Sequence, residues 1–193
     1  MESSQLTDLQ LSELYLWPTT RTFRLNMVLD QSGHSQGVDG TSNTLTSSED
    51  RRILRVIRQP ADVVISGAKS IRAEGWFLPP LGRLAVLSRS GNLPWESCPD
   101  RSRVHVYPSI SALIHSLKEH ETHILCEGGL EVAQQLAQQI GFDEIALTRM
   151  GRTSDLPLPE ALGIGEEVKL CEVLTDTKHN MTFQFWRRAE AQQ

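Results

Sequence analysis

The stretch Ile124-Leu125-Cys126-Glu127-Gly128-Gly129-Leu130 decides the predicted fold, because an apolar run ends there at a carboxylate and two glycines. A helical pattern follows directly, so the stretch predicts a strand, a tight turn and the start of a helix. Glycine lets a ligand approach the main chain, and the free N–H groups of a first helical turn favour an anion such as phosphate. A glycine that only reverses the chain is the alternative interpretation, and the surrounding sequence has to decide between the two.

Apolar patterns along the rest of the chain predict alternating strands and helices. Thr22 to Val28 alternates as a strand, with Arg24 and Asn26 on the face opposite its apolar one. Further strands are predicted at 62–65, 84–87, 104–107, 123–126 and 145–147, with a terminal pair at 168–174 and 181–186. Helices are predicted at about 47–58 after a capping box at 46–49, in a short element after 66–68, at 110–117, and from about 133 to 140 with Gly141 at its C′ position.

This order predicts an α/β fold with a central, mostly parallel sheet, flanking helices on both faces and an antiparallel C-terminal edge. Residues 1–20 are expected to form an N-terminal extension, and residues 21–193 a single domain. Ligands of such sheets bind outside the carboxyl ends of the strands. The two glycine turns, at 66–68 and 127–130, and the segment Ser88–Ser90 are all predicted at those ends, which favours a nucleotide site.

Composition excludes several classes of partner. The 193 residues carry 19 Lys and Arg against 24 Asp and Glu, a formal charge of -5, which argues against general binding to nucleic acid or anionic membranes. Three cysteines without a C-x-x-C pair, and histidines without a metal-binding pattern, predict neither disulfides nor a metal site. No leader-like start and no long apolar run are present, so a soluble, cytoplasmic protein is expected.

The common nucleotide-binding motifs are missing. Neither G-x-G-x-x-G nor the Walker pattern occurs in the chain, so an ordinary Rossmann or ATP site is not predicted.

Six segments in a fixed order nevertheless carry a resemblance to a known family. They are Asn26-Met27-Val28, the loop to Gly33, Leu45-Thr46-Ser47 with Arg51-Arg52, Val64 to Arg72, Glu74-Gly75, and Leu125 to Leu130. Between about Arg21 and Thr148 the chain resembles the pyrimidine reductase of riboflavin biosynthesis, which is the C-terminal domain of a bifunctional deaminase-reductase and has a dihydrofolate reductase-like fold. The zinc motifs of the deaminase half, H-x-E and P-C-x-x-C, are absent, so no deamination is expected.

The resemblance implies an NADPH-dependent reduction of 5-amino-6-(5-phosphoribosylamino)uracil, in which hydride adds to the ribose C1. It implies a small-molecule, pyrimidine nucleotide-like substrate, no metal and a homodimer. Carried over by position, the cofactor-binding residues are Gly67, Ala68, Ser70, Ser88, Arg89, Ser90, Glu127, Gly128, Gly129 and Leu130. The substrate-binding residues are Asn26, Thr46, Ser47, Arg51 and Glu74, where the role of Glu74 is open. Arg51 and Arg89 could equally be solvated surface charges.

One departure from the family pattern concerns the candidate catalytic residue, Asp30. The family usually has Ser, an apolar residue, Asp and Gly, whereas this chain has Asp30-Gln31-Ser32-Gly33, with the acid and the hydroxyl exchanged. Two alternatives to the pyrimidine reductase therefore stay open: a non-catalytic NADP-binding or regulatory homologue, and an NADPH reductase of an unrelated carbonyl substrate.

Overall fold

One eight-stranded sheet organises residues 1–151, 162–164 and 167–189, which the computed structural model describes. The strands are β1 (Thr22–Leu29), β2 (Val63–Gly67), β3 (Arg83–Leu87), β4 (Val104–Tyr107), β5 (His123–Cys126), β6 (Glu144–Met150), β7 (Val168–Asp176) and β8 (Met181–Arg188). Their order is β4-β3-β2-β5-β1-β6-β8-β7, parallel from β4 to β6, with β8 antiparallel to both β6 and β7. The predicted parallel sheet with an antiparallel C-terminal edge is confirmed; residues 152–161, 165–166 and 190–193 of the predicted domain lie outside the described residues.

Among the described residues, five α-helices cover both faces of this sheet. They are α1 (Asp8–Leu14), α2 (Ser48–Arg58), α3 (Ala68–Glu74), α4 (Ile110–His115) and α5 (Leu130–Gln139). Leu11, Ile57 and Ile71 place α1, α2 and α3 on one core, whereas Leu113 and Leu136 place α4 and α5 on the core of the opposite face. The central strands are therefore buried on both sides, which explains their continuous apolar runs.

Glycine ends α5 where the sequence predicts it. Gly141 has a φ of +73°, in the left-handed region that follows many helices. Its amide donates to the carbonyls of Leu136 and Ala137, which also accept from the amide of Ile140, so the last turn of the helix closes on this glycine.

The start of α2 differs from the prediction by one residue, and the predicted capping box is wrong. The N-cap is Ser47, whose Oγ accepts a hydrogen bond from the amide of Asp50 at 3.1 Å. Asp50 therefore takes the third helical position instead of Glu49, and its carboxylate turns to Thr148 of β6 instead of back to the cap. A capping box needs that side chain, so the reciprocal bond does not form.

A buried arginine joins the N-terminal segment to the sheet. Arg24 of β1 is fully buried, and its guanidinium binds the Glu144 carboxylate and donates to the carbonyls of Tyr15 and Leu16. It also stacks on Trp17, 3.9 Å from the ring centroid. As predicted, Arg24 lies on the strand face opposite Leu25, but that face is buried as well, by residues of the segment 1–20.

Candidate functional site

Three neighbouring parallel strands carry polar side chains that form a row across the sheet. The register pairs Cys126 of β5 with Ile65 of β2 and with Leu25 of β1. The residues that follow these three are Glu127, Ser66 and Asn26, which therefore lie side by side. Side chains alternate between the two faces along a strand, so residues aligned by the register share one face. All three line the same cavity, which has a volume of about 100 Å³ and is called here the first cavity.

One wall of the first cavity is a face of α2. Asp50, Leu54 and Arg58 follow each other at intervals of four residues and all line it. Ile53 and Ile57 of the same helix point into the apolar core instead. The helix therefore carries a second, mixed face, and this face looks onto the row of polar side chains.

Glu127 and Arg58 form a fixed ion pair in the first cavity. Arg58 Nε lies 2.8 and 2.9 Å from the two carboxylate oxygens of Glu127, and Nη2 adds a further bond. The guanidinium also lies 4.3 Å from the ring centroid of Phe77. Bidentate geometry holds both side chains in place and neutralises the Glu127 carboxylate.

Asp50 is the buried acid of the first cavity, and the sequence reasoning did not select it. Only 7% of the residue is exposed, and Thr148 Oγ1 donates to Asp50 Oδ1 at 2.6 Å. Burial raises the pKa of Asp50 to about 6, against the lowering effect of the Thr148 hydrogen bond. The signal that could have found it is its spacing of four and eight residues from Leu54 and Arg58.

Ser66 presents an unused hydroxyl to the first cavity. The residue is fully buried, and its Oγ has no hydrogen-bond partner among the described residues. Buried polar groups are normally paired, so this hydroxyl is suited to a polar atom of a bound ligand.

A second, larger cavity of about 640 Å³ lies at the carboxyl ends of β2, β3 and β4, beside α3 and α5. Three cationic side chains line it, those of Lys69, Arg72 and Arg89, together with the hydroxyl residues Ser88, Ser90 and Ser109. Glu131 is the one acidic residue of its described lining. The excess of positive charge favours a phosphorylated ligand.

The two cavities adjoin at two strand-to-helix junctions. At the β2–α3 junction Ser66 and Ser70 face the first cavity, whereas Gly67 and Ala68 face the second. At the β5–α5 junction the glycine pair faces the first cavity and Val132 faces the second. A ligand that spans both cavities would therefore pass along both glycine turns.

The predicted site residues divide between the cavities. Of the predicted cofactor residues, Gly67, Ala68, Ser88, Arg89 and Ser90 line the second cavity, and Ser70, Glu127, Gly128 and Gly129 line the first. Of the predicted substrate residues, Asn26, Thr46 and Glu74 line the first cavity. Leu130, Asp30, Ser47 and Arg51 are outside the lining of both; Leu130 opens α5 directly after the glycine pair.

Asp30 organises its own loop. Its carboxylate accepts hydrogen bonds from the amides of Ser32 and His34, both at 2.8 Å, and lies 3.1 Å from His34 Nδ1. These bonds, above all the one from the His34 amide, hold the pKa of Asp30 below its usual range. Asp30 is therefore an ionised residue that shapes the loop after β1.

Ser47 and Arg51, at the start of α2, line neither cavity. Ser47 caps the helix and donates its hydroxyl to Asp176 at 3.3 Å. Arg51 lies on the exposed face of the helix. The α2 residues that line the first cavity are instead Asp50, Leu54 and Arg58.

The two glycines of the opening stretch have different environments. A Cβ at Gly128 would lie 2.6 Å from Cβ and Cγ1 of Val132, so close packing of α5 on the turn requires this glycine. A Cβ at Gly129 would meet no atom within 4 Å, because this residue, the N-cap of α5, borders open space. Gly129 therefore leaves the helix N-terminus accessible to a ligand.

The protein therefore has a mixed α/β fold of the dihydrofolate reductase-like type, and a polar cleft lies over the carboxyl ends of its parallel strands. Among solved structures, the chain is similar to a pyrimidine reductase-like protein from Corynebacterium diphtheriae, with a TM-score of 0.67 and 17% identity over 94% of this chain and 99% of that one. It is also similar to a diaminohydroxyphosphoribosylaminopyrimidine deaminase/5-amino-6-(5-phosphoribosylamino)uracil reductase from Thermotoga maritima (TM-score 0.66, 16% identity) and to RibD of Acinetobacter baumannii (TM-score 0.65, 15% identity).

The resemblance to the pyrimidine reductases is thus confirmed at the level of the fold. The chain is covered to 88% and 89% in the last two comparisons but spans only 57% and 59% of those proteins. Neither a family model nor a curated protein matches the sequence.

Two further properties concern the part of the chain that the structure describes. None of its helices is long and apolar enough to cross a membrane. Its His, Cys, Asp and Glu side chains form no cluster of three that could hold a metal ion. The homodimer and the cytoplasmic location stay predictions.

Proposed function

We propose that this protein is an NADPH-dependent reductase that transfers hydride to a carbon of a small, phosphorylated aminopyrimidine-sugar, 5-amino-6-(5-phosphoribosylamino)uracil or a close relative. The observation that carries the proposal is the pair of adjoining cavities, the second with three cationic side chains and the first with three carboxyl groups, which meet at the two glycine junctions. This arrangement suits a cofactor in the second cavity whose reactive end reaches a substrate in the first.

The second cavity has donors that fit NADPH. Arg89, with the hydroxyls of Ser88 and Ser90, would bind the 2′-phosphate, since a guanidinium forms strong bonds with phosphate oxygens. Lys69 adds a positive charge in the same cavity. Gly129, which lines the first cavity at the junction between the two, leaves the N-terminus of α5 open to the pyrophosphate. When bound, NADPH supplies the hydride.

The first cavity has acceptors that suit the proposed substrate. Glu74 and Glu127 present carboxylate oxygens there, with Asn26, the Asp50 carboxyl group and the Ser66 hydroxyl beside them. The amino groups of an aminopyrimidine and the hydroxyls of a sugar are hydrogen-bond donors, so they complement this set. The substrate class is supported by the similar Thermotoga maritima protein, whose name includes a 5-amino-6-(5-phosphoribosylamino)uracil reductase.

The proposal is tested by titrating the purified protein with NADPH and NADH, followed by turnover of 5-amino-6-(5-phosphoribosylamino)uracil measured as loss of NADPH absorbance. We expect tighter binding of NADPH than of NADH, and NADPH oxidation that depends on the pyrimidine. Binding without turnover of any carbonyl or imine compound would favour the non-catalytic homologue. If the protein reduces only another carbonyl compound, the reductase assignment stands and the proposed substrate is wrong.

Arg89→Gln tests the cofactor preference. We expect NADPH affinity to fall about tenfold or more, because a charge-assisted bond to the 2′-phosphate is lost, whereas NADH affinity stays unchanged. Isothermal titration with each dinucleotide measures both. Arg101→Gln is the control, since it removes the same charge at a residue outside the second cavity and should affect neither affinity. An equal loss for NADPH and NADH would contradict recognition of the 2′-phosphate by Arg89.

Gly129→Val tests the approach to α5. The new side chain would enter the open space at the N-cap, so we expect NADPH affinity to fall about tenfold, with a loss of unfolding free energy of only about 1 kcal/mol. Gly128→Val is the contrast: its side chain would overlap Val132, and we expect a stability loss of about 2 kcal/mol or more. Unchanged NADPH binding in Gly129→Val would mean that the glycine pair serves only the packing of the turn and does not contact the cofactor.

A further inference from the structure

Reduction in the first cavity requires a proton as well as a hydride. When hydride adds to the carbon of a C=N or C=O group, the π electron pair moves to the heteroatom. That atom must then gain one proton for the product to be neutral, and a positioned acid accelerates this transfer. The inference below rests on the proposed function and concerns the source of this proton.

Three carboxyl groups line the first cavity, and two of them are poorly suited to donate. Both oxygens of the Glu127 side chain accept hydrogen bonds from Arg58. Glu74 is exposed, and its Oε1 accepts a hydrogen bond from the amide of Ser42 at 2.6 Å. Both carboxyl groups therefore already accept hydrogen bonds from protein donors, and they are less available to a bound substrate.

Asp50 differs from Glu74 in burial, and from both Glu74 and Glu127 in its partners. It is 7% exposed, and among the described residues its carboxyl accepts one hydrogen bond, from the hydroxyl of Thr148. It stands on the α2 wall of the cavity that also contains the unpaired hydroxyl of Ser66. A buried carboxyl of this kind keeps its proton to higher pH than an exposed one, and it can release that proton to a bound substrate.

We propose that Asp50 is the proton donor of the reduction in the first cavity, with Thr148 as its positioning residue. The Asp50 O–H bond breaks as the new N–H or O–H bond of the product forms, and the carboxylate left behind regains a proton from water. The hydride comes from NADPH, which leaves as NADP+, so atoms and electrons balance.

The charged groups around Asp50 determine how it titrates. Arg51 and Arg58 of α2 and the Thr148 hydroxyl favour its ionised form, whereas Glu127 and burial favour the protonated form. Tyr15 at the end of α1 is also close enough to interact with it. Burial has the largest effect and raises the pKa of Asp50 to about 6, so a usable fraction is protonated near neutral pH.

The test is the pH dependence of kcat and kcat/KM for the wild type, Asp50→Asn and Thr148→Val, with NADPH binding measured in parallel. A donor must be protonated, so wild-type activity should be highest at low pH and fall as the pH rises through about 6. Asp50→Asn should lose about 100-fold or more in kcat while NADPH affinity is unchanged, and its residual rate should lack this fall. Thr148→Val removes the donor that favours the carboxylate, so the fall should move to higher pH.

Several outcomes would overturn the assignment of Asp50. An Asp50→Asn protein with normal kcat and a raised KM would make Asp50 a substrate-binding group only. An unchanged pH profile in Asp50→Asn, or an unmoved one in Thr148→Val, would place the donor elsewhere. Absence of turnover by the wild type would instead overturn the proposed reductase itself, so the two failures are distinguishable.

Discussion

Arg24→Ala should lower the free energy of unfolding by about 3–5 kcal/mol, the range observed when one partner of a buried ion pair is removed. Arg24 is fully buried, and its guanidinium binds Glu144 and the carbonyls of Tyr15 and Leu16. The variant would leave these buried acceptors without their donor and would also remove the contact with Trp17. Urea unfolding at neutral pH measures the loss.

Arg187→Ala is the matched control, because Arg187 pairs with the same carboxylate through Nε at 2.9 Å. The Arg187 side chain is 45% exposed, whereas that of Arg24 is not exposed at all. An exposed pair contributes little, so we expect a loss of about 1 kcal/mol or less. In Arg24→Ala, limited proteolysis should also cut the segment 1–20 faster. Equal, small losses in both variants would contradict the role of Arg24 as the link to that segment.

Asp50→Asn should stabilise the protein, and more so as the pH rises. The pKa of Asp50 in the folded protein is about 6, above the value of about 3.9 for an unfolded chain, so folding favours the protonated form. Wild-type stability is then complete below the unfolded pKa and is lost as the pH rises through the folded pKa. This loss amounts to about 2 kcal/mol between pH 4 and pH 8, and Asn at this position does not share it.

Urea unfolding of the wild type and Asp50→Asn at pH 4, 6 and 8 measures this difference. Thr148→Val, which keeps the acid but removes its hydrogen-bond donor, should show a larger loss with rising pH than the wild type. A constant difference between Asp50→Asn and the wild type across this range would contradict the raised pKa. If Asp50→Asn is more stable than the wild type but inactive, the buried acid lowers stability in the folded protein and is needed for activity.

Much of the fold could be predicted from the sequence because its signals are local. The continuous apolar residues of β2 predict a strand buried on both faces, and Gly141 predicts the end of α5. The segment Ser88–Ser90 is predicted at the end of β3, and it lines a cavity there. Each of these signals depends on residues a few positions apart, so one sequence suffices to detect it.

The site could be predicted only in part, because the packing of helices on the sheet decides how it is divided into two cavities. The sequence indicates a single cofactor site from Gly67 to Leu130, whereas the structure separates two cavities at the strand-to-helix junctions. Val132 takes part in this separation, since it packs against Gly128 and lies 3.2 Å from where a Cβ of Gly67 would be. The contact of a helix residue with two strand ends cannot be read from either segment alone.

The sequence by itself thus determined the alternation of strands and helices, the parallel sheet with its antiparallel edge, and the two glycine turns at the strand ends. Only the tertiary structure decided which charged side chains are buried. Asp50 meets Thr148 across 98 residues, and Arg24 meets Glu144 across 120. Periodicity assigns Arg24 to the polar face of its strand, and burial of a charge depends on partners that distant strands bring to it.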